Sequence, residues 1–361
     1  MTIPPRHLII VAAGTGGHVI PGLAVAREMQ DRGWTVSWLG TTHGMENKLV
    51  PPSGIPMDRV AFSGLRGKGV MHGLAGLVQM FGAFGSCLRI IRRRRADAVL
   101  GMGGYVCFPG GLMAALLGRK LMLVNADASL LMSNKALLPV VDAIAFGFDG
   151  AAAQSIRRAF VTGNPVRADI ESLPPPSQRF QGRSGALRLL VVGGSLGARA
   201  LNECVPHALA LLDVAQRPRV THQTGRANLA AVEALYRSAN LSAEVVPFID
   251  DMAQHLSDCD LMICRAGAVT VSELCAAGVA SVLVPLVVST TSHQRENAGW
   301  LAGHDAAVHL PQAELTPRRL AELLAGMTRE MLLTMAIQAR ALARPKAATR
   351  VADHLERLVG A

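Results

Sequence analysis

Short apolar runs alternate along the whole chain with longer segments in which apolar residues recur every three or four positions. A continuous apolar run of five or six residues is typical of a strand buried on both faces, and the longer spacing is typical of a helix. Their regular alternation predicts parallel α/β sheets. The predicted strands are 7–12, 34–39, 97–101, 120–124, 142–146, 188–192, 219–223, 244–247, 260–264 and 281–284. The predicted helices are 20–32, 44–52, 72–94, 108–117, 129–138, 198–212, 227–238, 250–256, 270–277, 293–302 and 316–325, followed by two helical stretches separated by Pro345.

Two of the predicted strands open into a glycine-rich turn and then a helix, in LIIVAAGTGGHVIPGLAVAREM (8–29) and LRLLVVGGSLGARALNECVPHAL (187–209). Residues 96–118 and 259–278 repeat the arrangement in each half. The first amides of a helix have no intrahelical partner and attract anions, and glycine lets a phosphate approach the backbone. This repetition predicts two nucleotide-type domains facing each other, with a diphosphate in the cleft.

A length of 361 residues also predicts two domains. The stretch LPPPSQRFQGRSGA (173–186) is rich in proline and glycine and is interpreted as a loop or linker. Six cysteines include no CxxC pair, and several lie in apolar runs, so we expect buried, reduced thiols. Nothing in the histidine, cysteine or acidic spacing predicts a metal site.

The net charge of +10 is unevenly distributed. Residues 1–170 hold 18 Lys and Arg against 9 Asp and Glu, whereas residues 171–361 hold 18 against 17. Such asymmetry indicates an anionic partner. Nucleic acid is disfavoured, because aromatic residues make up only 4% of the chain and no nucleic-acid module is recognisable. An anionic membrane surface fits better.

Residues 69–88 carry no charged side chain, and basic residues flank them: Arg66, Lys68, Arg89 and Arg92–Arg95. Five glycines make this segment a poor spanning helix, so we interpret it as an apolar surface with a basic rim that lies in the headgroup region. The alternative is a core helix with a solvated basic end. The apolar run near the N-terminus is too short for a signal peptide.

The common nucleotide motifs are missing. A dinucleotide-binding fold needs a carboxylate where the second strand ends, and this chain has Trp38-Leu39-Gly40-Thr41-Thr42 there. The GxxxxGK[ST] pattern of P-loop proteins is absent as well.

Eight motifs, in order and over essentially the whole length, resemble the MurG family: IIVAAGTGGHVIPGLAVA, SGLRGKG (63–69), VLGMGGYV (99–106), GNPVR (163–167), LLVVGGSLGARALN (189–202), FIDDM (248–252), CRAGAVTVSEL (264–274) and HQREN (293–297). The resemblance implies a GT-B fold, with two Rossmann-like domains. It implies an inverting transfer of N-acetylglucosamine from UDP to the 4-hydroxyl of the muramoyl unit of a polyprenyl-diphosphate lipid (lipid I), which gives lipid II in peptidoglycan synthesis. No cofactor is expected, and the expected location is peripheral, at the cytoplasmic side of the bacterial inner membrane, with other wall-synthesis and division proteins as further partners.

The resemblance assigns residues 1–165 to an acceptor and membrane-binding domain, completed by the last helix at about 345–361, and residues 166–344 to a UDP-sugar domain. In the second domain, Glu273 would hold the ribose hydroxyls, although Thr270-Val-Ser-Glu273 is also a capping-box pattern. Ser195 would bond the diphosphate or cap a helix. The other predicted contacts are Arg167 for the diphosphate, the backbone of Ile249 for uracil, Gln294 for the sugar, and the loop of Ala268, Val269, Thr270, Val271 and Ser272.

In the first domain, Thr15, Gly16 and Gly17 would direct backbone donors to the sugar or to the acceptor's pyrophosphate. His18 is the candidate general base, because histidine titrates near neutrality; the alternative is a neutral histidine that hydrogen-bonds the loop. Val124-Asn125-Ala126-Asp127 stands where the family has His-Glu-Gln-Asn. Asp127 is therefore both a candidate sugar contact and a second candidate base.

Two alternatives to the transferase remain at this point. The departure at 124–127 is compatible with an inactive scaffold of a wall-synthesis complex. A UDP-sugar epimerase would use the same architecture without a lipid acceptor.

Overall fold

The computed structural model describes residues 5–62, 70–194, 196–286 and 292–360, with side chains described from residue 79 onward in the helix that starts at Val70. The SGLRGKG motif (63–69) and Ser195 lie outside the described residues, as do the side chains at the start of the charge-free segment. The chain divides into two compact units. Unit 1 comprises residues 1–165 and 346–361, and unit 2 comprises residues 166–345.

Within the described residues, unit 1 contains a seven-stranded parallel sheet in the order β3-β2-β1-β4-β5-β6-β7. Strand β1 is buried from Leu8 to Ala12, as its continuous apolar run predicts. The strands are β1 (His7–Ala12), β2 (Thr35–Thr41), β3 (Met57–Val60), β4 (Ala98–Gly103), β5 (Lys120–Asn125), β6 (Ala143–Phe146) and β7 (Ala159–Val161). The helices are α1 (Gly16–Asp31), α2 (Glu46–Leu49), α3 (Val70–Arg94), α4 (Cys107–Leu116), α5 (Met132–Leu137) and α6 (Ala151–Gln154).

The described part of unit 2 contains a six-stranded parallel sheet in the order β10-β9-β8-β11-β12-β13, so both sheets place their first strand beside their fourth. The strands are β8 (Arg188–Val192), β9 (Arg219–Gln223), β10 (Glu244–Val246), β11 (Leu261–Cys264), β12 (Ser281–Leu283) and β13 (Ala307–His309). The helices are α7 (Ala168–Glu171), α8 (Pro176–Arg179), α9 (Arg199–Ala210), α10 (Leu229–Ser238), α11 (Met252–Asp258), α12 (Ala268–Ala277), α13 (His293–Ala302), α14 (Pro317–Ala325) and α15 (Arg329–Ala341).

The last helix, α16 (Ala347–Gly360), belongs to unit 1 and packs on α1. Val351 and Leu355 are fully buried in the unit 1 core. At the edge of this contact, Arg32 Nη1 lies 2.7 Å from carboxylate oxygens of both Asp353 and Glu356. An apolar stripe with a charged border therefore fixes the end of the chain onto unit 1.

Residues 173–186 form a loop, as predicted, which contains the short helix α8. Two arginines fasten this stretch to unit 2: Arg179 donates to the carbonyls of Leu256, Ser257, Ala277 and Gly278, and Arg183 Nη1 lies 2.6 Å from the buried carboxylate of Asp260. Proline and glycine set the turns of this segment, but the arginines decide where it lies. The six cysteines are all buried thiols, as predicted.

Candidate functional site

The glycine turn of unit 1 connects β1 to α1. Gly14 has φ +99°, a conformation that favours glycine, and Thr15 occupies the N-cap position of α1. The helix begins at Gly16, four residues before the predicted start, because glycines and an internal Pro21 hide its first turn from a propensity argument. The amides of Gly16 and Gly17 therefore open the helix and have no carbonyl partner within it. This is the backbone geometry that the predicted ligand contact requires.

His18 lies in that first helical turn, half-buried, and its ring rests against the end of β4. Gly103 has φ +124°, and a Cβ there would collide with His18 Nδ1. Gly104 has φ +92°, and a Cβ there would collide with the carbonyl of Ala13. The two glycines at the end of β4 thus leave the space that the first glycine turn and the candidate base occupy.

A carboxylate that the sequence argument missed also holds this turn. Glu46, at the start of α2, is fully buried and accepts hydrogen bonds from Gly14 N (2.9 Å), Thr41 N (3.0 Å) and Thr41 Oγ1 (2.6 Å). Burial by itself raises the pKa of the Glu46 carboxyl, but the hydrogen bonds from Thr41 and Gly14 outweigh it and the pKa is lowered. The Glu46 carboxylate after β2 is therefore bonded to groups of the protein itself, namely Gly14 and Thr41.

The departure at residues 124–127 has a structural role of its own. Asn125, fully buried, donates from Nδ2 to the carbonyls of Asp127 (2.7 Å) and Ser129 (3.0 Å), and its Oδ1 accepts from Leu131 N (2.9 Å) and Asn134 Nδ2 (3.1 Å). One carboxamide thus shapes the whole loop after β5. The backbone of Asp127 is fixed by it, and the Asp127 side chain is half-buried.

The glycine turn of unit 2 follows β8. Gly194 and Gly197 have φ +85° and +77°, and a Cβ at Gly197 would collide with the carbonyl of Thr224 at the end of β9. Helix α9 then begins at Arg199, with Ala198 at its N-cap position. Because Ser195 lies outside the described residues, its contact with a diphosphate stays a prediction.

Gln223, the last residue of β9, supports this second turn and was not identified from the sequence. Its side chain is buried, and Nε2 donates to the carbonyls of Gly194 (3.0 Å) and Pro247 (3.2 Å). Pro247 begins the loop that contains Ile249, whose side chain is buried, so only the backbone of Ile249 remains for a ligand. A single carboxamide therefore joins two predicted binding loops.

Behind Gln223 lies a buried polar network. His222 Nδ1 lies 2.9 Å from the Tyr236 hydroxyl, and His222 Nε2 lies 3.2 Å from Asn202 Oδ1. Asn202 Nδ2 donates to the carbonyl of Thr224 (3.0 Å). Burial lowers the pKa of His222 to about 4, so this histidine is neutral in the folded protein at neutral pH. The network holds the backbone against which Gly197 packs.

Glu273 does not form a capping box. Helix α12 begins at Ala268 with Gly267 at the N-cap position, so Glu273 stands in the second turn, where it cannot reach the cap amide. Its Oε1 lies 3.4 Å from Arg167 Nε. Burial raises the pKa of the Glu273 carboxyl, and the charge of Arg167 opposes that shift. The two side chains predicted to bind ribose and diphosphate thus pair with each other.

The first turn of α12 offers backbone amides more than side chains. Val271 is fully buried and its amide donates to the carbonyl of Gly267 (2.9 Å), while Ser272 Oγ donates to the carbonyl of Ala268 (2.9 Å). The amides that open the helix are those of Ala268, Val269 and Thr270. Of the predicted loop, these three are the residues with backbone donors for an anion.

The HQREN motif opens helix α13 and has two distinct functions. Gln294 Oε1 accepts from Leu286 N (2.8 Å), which leaves its Nε2 group as a donor for a ligand. Asn297, fully buried, donates from Nδ2 to the carbonyl of Ala266 (3.0 Å) in the loop before α12. The sequence argument assigned only Gln294. Asn297 is the residue that ties this motif to the Glu273 helix.

None of the helices in the described part of the chain has the length and hydropathy needed to cross a bilayer. Phe81 on α3 and Leu116 on α4 are each 70% exposed. At the end of α3, Arg94 Nε lies 2.8 Å from Asp58 Oδ2, and Arg93 pairs with the same carboxylate. The predicted basic rim of Arg92–Arg95 therefore includes one compensating negative charge.

Comparison with known proteins gives one consistent family. Residues 8–146 match the N-terminal domain of glycosyltransferase family 28, and residues 188–357 match its C-terminal domain. A protein of Methylibium petroleiphilum named UDP-N-acetylglucosamine–N-acetylmuramyl-(pentapeptide) pyrophosphoryl-undecaprenol N-acetylglucosamine transferase is 68% identical over 359 residues, 98% of each chain. A protein of the same name from Chromobacterium violaceum is 62% identical over 357 residues, 98% of this chain and 99% of its own. The crystal structure of Acinetobacter baumannii MurG matches with a TM-score of 0.86 and 40% identity, over 98% of this chain and 100% of that one.

Proposed function

The chain belongs to the MurG family of glycosyltransferases, and we propose that its two units divide one transfer reaction, with the donor sugar nucleotide bound by unit 2 and the lipid acceptor by unit 1. The protein transfers N-acetylglucosamine from UDP-N-acetylglucosamine to lipid I and forms lipid II. It has the GT-B fold that the family resemblance implied. Family membership favours the transferase over the epimerase and scaffold alternatives.

The observation that carries the donor assignment is the Glu273–Arg167 pair in unit 2. An ionised carboxylate accepts two ribose hydroxyls at once, and a guanidinium neutralises a departing diphosphate. In the structure the Glu273 carboxylate and the Arg167 guanidinium pair with each other. When UDP binds, this ion pair would be replaced by two contacts, from Glu273 to the ribose and from Arg167 to the diphosphate. The amides at the start of α12 and the turn after β8 add donors for the diphosphate, Ile249 offers its backbone to uracil, and Gln294 offers Nε2 to the sugar.

The acceptor reaction is a displacement at the anomeric carbon of N-acetylglucosamine. The 4-hydroxyl oxygen of the acceptor forms the new glycosidic bond, the bond from the anomeric carbon to the UDP oxygen breaks, and the hydroxyl proton passes to a base. His18 is the proposed base, because it stands in the glycine turn of unit 1 against Gly103. Asp127 is the competing candidate. The amides of Gly16 and Gly17 are proposed to contact the sugar or the acceptor's pyrophosphate.

We further propose that unit 1 lies against an anionic membrane, peripherally on the cytoplasmic side of the inner membrane. The support is the exposed Phe81 and Leu116, the surplus of positive charge in residues 1–170, and an acceptor that is itself a lipid. Other wall-synthesis and division proteins would meet the enzyme there.

The direct test is transfer of labelled N-acetylglucosamine from UDP to a lipid I analogue in detergent or vesicles. The expected product is lipid-linked disaccharide, formed together with UDP in equal amounts. Release of free epimerised sugar would favour the epimerase, and a folded protein that binds UDP without turnover would favour the scaffold.

A further inference from the structure

Glu46 is a buried charged group to which the transfer mechanism above gives no function. An ionised carboxylate in a protein interior is costly unless donors surround it. Its donors come from two places, Gly14 in the turn after β1 and Thr41 at the end of β2. The carboxylate therefore joins the glycine turn to the rigid sheet.

The neighbouring residue fixes the same turn from its other side. Met45 N donates to the carbonyl of Gly14 (3.0 Å), while Glu46 accepts from the amide of Gly14 (2.9 Å). Both polar backbone groups of Gly14 are thus bound by consecutive residues of one segment. Gly14 has φ +99° and no side chain that would limit its backbone angles. These two hydrogen bonds therefore hold its backbone in one conformation.

The carboxylate also decides which amides of the turn meet a ligand. It occupies the first one, that of Gly14, and leaves those of Gly16 and Gly17 at the helix start. His18 follows directly in the same helical turn.

We propose that Glu46 is a positioning residue for the acceptor half of the reaction: it holds the Gly14 turn, and through that turn the segment from Thr15 to His18, in the geometry that transfer requires. This inference rests on the function proposed above for that segment. It assigns Glu46 no contact with either substrate.

The test compares Glu46→Gln with a matched control, Asp97→Asn. Asp97 Oδ2 accepts from His7 N (2.7 Å) at the other end of β1, so each variant removes the charge of a carboxylate that accepts from a backbone amide in or next to this strand. For each variant we would measure kcat and KM for a lipid I analogue at saturating UDP-N-acetylglucosamine, Kd for UDP, and thermal unfolding. Displacement of a reacting group by about 1 Å costs about 100-fold in rate, so Glu46→Gln should lower acceptor kcat/KM by about 10- to 100-fold. Kd for UDP should be unchanged, and Asp97→Asn should stay within about 3-fold of the wild type.

Equal losses of kcat/KM in both variants, at equal losses of thermal stability, would show that Glu46 only stabilises the fold and would overturn the proposal. If Glu46→Gln does not unfold cooperatively, Glu46→Asp decides, because it keeps the charge but shortens the side chain, so that the carboxylate no longer spans Gly14 N and Thr41. A selective loss of acceptor kcat/KM in Glu46→Asp supports the proposal, and the absence of any loss overturns it. Absence of transfer by the wild type would contradict the proposed function itself.

Discussion

The two glycine turns look alike in sequence, yet the protein holds them with groups of opposite polarity. In unit 1 a buried carboxylate, Glu46, accepts from the amide of Gly14. In unit 2 a buried carboxamide, Gln223, donates to the carbonyl of Gly194. The first turn thus has a negative charge beside it and one amide already used, whereas the second is held by a neutral group that uses no amide of Gly194. This difference supports the proposal that the diphosphate of UDP binds at the second turn, where no carboxylate accepts from the turn glycine.

The supports behind the turns differ as well. In unit 1 the turn packs on two glycines, because Gly103 leaves room for His18 and Gly104 leaves room for the backbone of Ala13. In unit 2 Gly197 packs on the carbonyl of Thr224, which belongs to a polar network with Asn202 and His222. The first turn is packed around the side chain of His18, and the second is packed against backbone that a polar network holds.

The largest expected effect is on catalysis in unit 1. His18→Ala should lower kcat by about 10²- to 10⁴-fold if His18 is the general base. Kd for UDP should be unchanged, because UDP is proposed to bind unit 2. Steady-state kinetics with a lipid I analogue and calorimetry with UDP measure the two quantities. Asp127→Asn is the competing variant; a severe loss there, with a mild one in His18→Ala, would move the base to Asp127.

The next effect concerns the donor in unit 2. Glu273→Ala should raise KM for UDP-N-acetylglucosamine by about 10- to 100-fold and lower kcat less, because one charged hydrogen-bonding group contributes about 1.5–3 kcal/mol. Kinetics at varied donor concentration test this, with KM for the acceptor as the internal control. Loss of thermal stability with unchanged KM would contradict a ribose contact.

A smaller effect is expected for membrane binding, which should depend on exposed arginines of unit 1 and not on those of unit 2. Arg92→Gln with Arg95→Gln should weaken binding to anionic vesicles by about 2 kcal/mol at low salt, since each arginine near the surface contributes about 1 kcal/mol. The effect should shrink as salt rises. The matched control is Arg237→Gln with Arg318→Gln, which removes the same charge from exposed positions of unit 2. Equal sedimentation of both double variants with vesicles would remove unit 1 as the membrane-facing unit.

The last effect compares His222 and Glu46, which support the two turns, through the pH dependence of the stability of the protein. His222 has a pKa of about 4 in the folded protein and about 6.5 when unfolded, so acid protonates the unfolded chain first. The wild type should therefore lose about 2 kcal/mol of stability through this residue between pH 7 and pH 5. Glu46 has a lowered pKa, so the stability it contributes persists at pH 5 and is lost only at lower pH. Denaturant unfolding of wild type and His222→Gln at both pH values checks this, and an equal pH dependence of the two proteins would count against it.

The strands that escaped sequence prediction share one position in the fold. β3, β7 and β13 all lie at sheet edges. They are three or four residues long, and β3 reads MDRV. An edge strand is covered on fewer sides than a central one, so it does not need the long apolar run that revealed β1 or β8. The start of α1 escaped for a different reason, since Gly16 and Gly17 are poor helix formers that a tertiary seat holds in place.

The candidate site shows the same division between residues. Sequence motifs identified four candidate site residues, whose roles stay predictions: Glu273, Arg167, His18 and Gln294. The sequence did not identify the residues that support the binding loops, because each of them bonds a backbone group that is distant along the chain or lies within a loop. These are Glu46, Gln223, Asn125 and Asn297. The capping-box interpretation of Glu273 failed for a related reason. A four-residue pattern does not say where the helix begins.

The sequence by itself determined the alternation of strand and helix, the two glycine turns and the family, because these depend on local periodicity and on residues that tolerate positive φ. Only the tertiary structure decided which buried group holds each turn, since a hydrogen bond between residues 32 apart depends on how strands β1 and β2 are placed. It also decided that 173–186 is fastened to unit 2, because the carbonyls that receive Arg179 come from the ends of α11 and α12. Local patterns specify the elements, and the partners of buried polar groups exist only once those elements have packed.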